Sequence, residues 1–150
     1  MKTTKLFCSL FLALNACGTG LSGTWETTSA PNGLTSFQDY KQTLVIHSDG
    51  LFSRDVKAVY APGSANAGCT VTIRFEGTWT EPKGATLRLV KKLQKNSASV
   101  GCADRNQEYV EADGEVFGSA ALPEELGYVL EARTLELSLQ GEPWISLQRK

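Results

Sequence analysis

Residues 69–80 read CTVTIRFEGTWT. Cys69, Val71, Ile73, Phe75, Gly77 and Trp79 fall on one face, and Thr70, Thr72, Arg74, Glu76, Thr78 and Thr80 on the other. Strict alternation over twelve residues is the period of a β-strand with one buried side. The stretch therefore predicts a long strand, with Cys69 and Trp79 turned toward a core.

Outward from this strand, the chain reads as further strands and tight turns. Glu81-Pro82-Lys83-Gly84 predicts a turn, with proline setting one backbone angle and glycine free to take positive φ. The returning segment, residues 85–93, places Leu87 and Leu89 on one face and Arg88 on the other, which makes a hairpin. A second hairpin surrounds Asp49-Gly50. A three-residue loop with a left-handed Gly50 sets Ile46 opposite Phe52, whereas a two-residue turn sets Ile46 opposite Ser53. The first register joins apolar to apolar and is the one expected. Asp113-Gly114 marks a third hairpin. Leu135, Leu137 and Leu139 alternate inward, and the chain turns at Gly141-Glu142-Pro143 before a last strand. Two segments invite short helices. One is residues 34–42, and the other is residues 123–132, where proline leads and acids follow. Eight or nine short strands predict an all-β fold, an antiparallel barrel or a partly open sandwich.

The first twenty residues follow a different rule. Lys2 and Lys5 precede an apolar run, Leu6 to Leu14, too short to span a bilayer, which takes about 20 residues in a helix. A basic start and a short apolar run are the layout of a secretory signal. Leu14-Asn15-Ala16-Cys17 resembles the lipobox of bacterial lipoproteins. That resemblance implies a signal peptide over residues 1–16, removed on export with Cys8, and acyl chains on Cys17, residue one of the mature chain. It also implies a chain anchored by these fatty chains in the cell envelope. Gly18 stands where aspartate would favour inner-membrane retention, so the outer membrane is expected. Two attached chains hold a protein at a bilayer where one holds it only marginally. Residues 17–22 then form the anchor and a short tether to a domain spanning residues 23–150.

Removing residues 1–16 leaves 134 of the 150, one domain by size, with 13 basic against 16 acidic residues. No basic stripe with interleaved aromatics appears, so nucleic acid is not an expected partner. In an oxidising compartment the two remaining cysteines, Cys69 and Cys102, are expected to bridge. His47 is the only histidine, which argues against a metal site. No nucleophile–base pairing, metal-binding helix motif or phosphate loop is present, so neither catalysis nor a cofactor is expected.

Gly-Thr-Trp occurs twice, at 23–25 and 77–79. Glycine admits close approach, and tryptophan two positions on faces the same side. The order of these motifs, with the Asp-Gly hairpin between them and the leucine strand after them, is similar to small bacterial lipocalin-like domains. The resemblance implies an up-and-down barrel of about eight strands. It also implies that Arg149 of the last strand stands against Trp25. Two functions remain open. The interior face (Leu44, Ile46, Phe52, Val71, Ile73, Phe75, Leu87, Leu89, Leu135, Leu137 and Leu139) lines a cavity for a small apolar ligand, or it forms a solid core. In the second case the surface, such as the loop from Tyr60 to Gly68, meets an envelope protein partner.

Overall fold

A computed structural model of the chain describes residues 20–91, 97–110 and 125–150. They form ten β-strands: β1 (Gly23–Thr27), β2 (Phe37–Ile46), β3 (Leu51–Tyr60), β4 (Thr70–Lys83), β5 (Thr86–Lys91), β6 (Ser97–Gly101), β7 (Asn106–Val110), β8 (Glu125–Glu131), β9 (Thr134–Leu139) and β10 (Glu142–Arg149). All pairings are antiparallel. Eight strands, β1 to β5 and β8 to β10, form an up-and-down ring that closes where Trp25 of β1 meets Arg149 of β10. The architecture is the lipocalin-like barrel, not an open sandwich.

The two remaining strands extend this ring without breaking its order. β5 pairs with residues 77–83 of β4, and β6 pairs with residues 70–74 on the same side. β6 therefore continues the line of β5. In the same way β7 lies beside β6 as β8 lies beside β5. The disulfide Cys69–Cys102 ties the far end of the β6–β7 hairpin to the start of β4.

Turn chemistry sets the registers. Ile46 pairs with Phe52, and the three-residue loop between them is closed by His47 N–H donating to Leu51 O at 2.9 Å, with Gly50 at φ +87°. The β9–β10 turn is Gln140-Gly141, both at positive φ, as the strand twist of a two-residue hairpin requires.

Four expectations are corrected. Residues 34–42 hold no helix: β2 starts at Phe37 and buries Tyr40 and Gln42, with a bulge around Asp39 at φ +50°. Residues 125–131 form a strand, because Leu126, Tyr128 and Leu130 alternate toward the barrel and the ring needs a partner for β5; the remainder of that expected helix, and the Asp113-Gly114 hairpin, lie outside the described residues. The turn after β4 falls at Gly84-Ala85, since Pro82 occupies a bulge where no ladder donor is needed and pairing resumes at Lys83–Thr86. Leu139, expected inward, is 37% exposed, because β9 ends there at the hairpin.

Candidate functional site

Three places in the barrel bring together side chains of chemical interest. The first is the seam between β1 and β10. The Arg149 guanidinium carbon stands 4.6 Å from the centre of the Trp25 ring, within cation–π range. Arg149 also donates to the Gly20 carbonyl and, at 3.4 Å, to that of Ser22. Trp25 Nε1 donates to Leu21 O at 2.8 Å. Gly23 has φ +148°, and a Cβ there would lie 3.7–3.8 Å from the guanidinium, so glycine supplies the backbone angle that seats Arg149. Leu21 is fully buried in the core. The segment Gly20–Ser22 thus folds across one mouth of the barrel, and Arg149 holds it there.

The second is the interior. Of the expected lining, Leu44, Ile46, Phe52, Val71, Ile73, Phe75, Leu87, Leu89, Leu135 and Leu137 are each no more than 3% exposed. A cavity large enough for a ligand would leave its walls open to a water-sized sphere, so these side chains are packed against one another. Fully burying each contributes about 1.5–3 kcal/mol. Among them lies Arg54, 1% exposed. Its Nε and Nη2 donate to Gln42 Oε1 at 3.0 and 2.8 Å, and Nη2 reaches Tyr40 Oη at 3.3 Å. Tyr40 Oη donates to the same Gln42 oxygen at 2.7 Å. The guanidinium also sits 5.7 Å from the rings of Phe75 and Trp144. Burial lowers the Arg54 pKa and raises that of Tyr40, since each loses water around its charged form.

This polar cluster was absent from the sequence reading. Arg54 is two residues from Phe52 and from Val56, and Gln42 is two from Leu44, so the same alternation that chose the core places both inward.

The third is an open recess of about 1020 Å³ at the β1–β10 seam, lined by outward residues such as Glu26 and Gln148 and reaching the core residues Leu137 and Ile145. β1 pairs with β10 only through Trp25 and Glu26. Beyond Glu26 the two strands part, and the chain after β1 crosses the gap. Asn32 ties it down, its N–H donating to Trp144 O at 2.8 Å and its side-chain amide to Pro143 O at 2.9 Å. Trp144, Pro143, Ala30 and Val129 give the recess apolar surface, and Lys41 and Glu136 give it charge. Val129 is among the most exposed apolar side chains described.

The other site residues are structural in their surroundings. Trp79 is half-buried, and its Nε1 donates to His47 O at 2.7 Å, pinning the first hairpin tip to β4. Gly77 is buried opposite Phe52. His47 is exposed beside that tip. Cys17 lies outside the described residues. Among the described residues, no three His, Cys, Asp or Glu side chains cluster in a way that could hold a metal ion.

No protein-family model matches this chain, and no curated protein matches it.

Proposed function

We propose that this chain is an envelope lipoprotein, anchored through acyl chains on Cys17, whose barrel serves as a non-enzymatic interaction module. The observation that carries the second half is the burial of ten of the eleven expected lining residues to 3% or less. A core without room for cargo leaves the surface to do the work. The recess beside Trp144 is the part of the surface best suited to it. There β10 runs past the end of its pairing with β1, so the short edge at residues 145–147, between the Asn32 contacts at Pro143 and Trp144 and the pairing at Gln148, can receive an extended segment of a partner. The lipobox-like residues Leu14 to Cys17 and the basic, apolar leader support the anchor, and Gly18 in place of an aspartate supports an outer-membrane location.

A carrier for a small apolar ligand is the second reading, and one observation favours it. Trp144 lines the recess and also lies within 5.7 Å of the buried Arg54 guanidinium. The same ring thus borders both the recess and the polar centre of the barrel. Native mass spectrometry of the acyl-free domain, incubated with an envelope lipid extract, separates the two. The module reading expects the polypeptide mass alone. A stoichiometric small-molecule adduct, lost on Trp144→Ala, would establish the carrier instead.

A further inference from the structure

The strand directions sort the described loops to one of two barrel ends. At one end lie the start of β1, the 47–51 hairpin tip, the Gly84-Ala85 and Ala132-Arg133 turns, and the end of β10. At the other lie residues 28–36, the 61–69 loop, the Gln140-Gly141 turn and the disulfide-tied β6–β7 hairpin.

The first end is also where the chain departs toward its N-terminus. Arg149 bonds the Gly20 and Ser22 carbonyls, Leu21 is buried, and Gly20 sits against Leu130 so closely that a Cβ there would approach its Cδ2 to 2.9 Å. Residues 20–22 are therefore part of the barrel and not slack in a tether. Only three residue steps separate Gly20 from Cys17, and fully extended they span about 10 Å. So short a link keeps the Gly20 end of the domain beside the bilayer.

We infer that the barrel stands on the membrane by the end that carries Gly20, with the 47–51 tip and the 84–85 and 132–133 turns against the lipid headgroups. This rests on the acylation of Cys17 proposed above. The exposed Leu51 offers an apolar side chain at this end, and Lys83 and Arg133 offer cations to headgroup phosphates beside the carboxylates of Asp49 and Glu131, while Lys150 is paired with Glu26 at 3.2 Å. The opposite end, with the disulfide-tied hairpin and the 61–69 loop, faces away from the bilayer and is the end an envelope partner reaches first.

Two tryptophans mark the two ends. Trp79 is bonded to the 47–50 tip, whereas Trp144 lies five residues back from Arg149, up to about 16 Å along β10 toward the opposite end. The full-length acylated protein is reconstituted into phosphatidylcholine vesicles with and without headgroup nitroxide lipid. Emission is compared for Trp144→Phe, which keeps Trp79, and Trp79→Phe, which keeps Trp144; Trp25 is common to both. The fraction quenched is expected to be at least twofold larger in Trp144→Phe. Equal or reversed quenching in protein that floats with the vesicles overturns the orientation and leaves the anchor standing. Protein that carries no acyl mass and fails to float overturns both. Hydrogen exchange of the wild-type chain reads the same geometry without substitution. Vesicles should protect residues 47–51 and 131–134 and leave 61–68 unchanged; the opposite pattern contradicts the inference.

Discussion

Arg149 stands over the Trp25 ring at 4.6 Å and at the same time bonds the carbonyls of Gly20 and Ser22. One side chain from the last strand therefore closes the ring of strands and fastens the segment that covers its mouth. A cation over an indole is worth roughly 0.5–2 kcal/mol and a hydrogen bond from a charged donor about 1.5–3. Because Arg149 is only partly buried, Arg149→Ala should destabilise the domain by about 2–3 kcal/mol in urea unfolding. Arg149→Lys should fall between the two, keeping the charge without the planar fork. Amide exchange at Leu21 and Ser22 should accelerate in the alanine variant. An unchanged midpoint would remove the clamp from the account.

The buried Arg54 makes a sharper contrast. Arg54→Ala opens a large void beside Gln42 and Tyr40 and should cost about 3–5 kcal/mol. Arg54→Met refills much of that volume, and Tyr40 and Gln42 remain bonded to each other at 2.7 Å. Its cost should be clearly smaller, under about 2 kcal/mol. Equal losses in the two variants would mean that the charge itself, and not the packing, holds this part of the core.

The disulfide closes a loop of sequence separation 33. In the chain-entropy model such a bridge contributes about 3–4 kcal/mol. Replacing Cys69 and Cys102 together by serine should lower stability by that order, with the β6–β7 hairpin losing exchange protection before the eight-stranded ring. Simultaneous loss throughout would show that hairpin and ring unfold as one unit.

Tyr128 supplies a pH dependence. Burial, then its hydrogen bond to the Glu81 carboxylate, pushes its phenol up to about 12 from an ordinary value near 10. The folded state holds this proton more tightly than the unfolded one. Its contribution is complete below about pH 10 and is lost as pH rises through 12. The unfolding midpoint should fall across that window, and Tyr128→Phe should flatten the fall. A variant with the same slope as wild type would assign the dependence to another group.

Much of this fold was legible in residues 69–80 and in the pairing of Ile46 with Phe52, because period-two alternation and an Asp-Gly loop are local signals. Residues 34–42 and 125–131 misled because their local composition suits a helix turn. Their place in the ring, which a single segment does not encode, makes them strands. Arg54 was missed for a related reason: its charge argues for the surface, while its position between Phe52 and Val56 argues for the interior, and position prevailed. The recess at the β1–β10 seam depends on where two strands far apart in sequence stop pairing, and no short motif announces that.

The anchor governs both the proposed location and the orientation of the barrel. Metabolic labelling with palmitate, comparing the wild-type chain with Cys17→Ser in a bacterial host, tests it most directly. Label confined to the wild type, with the serine variant left as an uncut precursor, is the predicted result; equal label in both chains would contradict it.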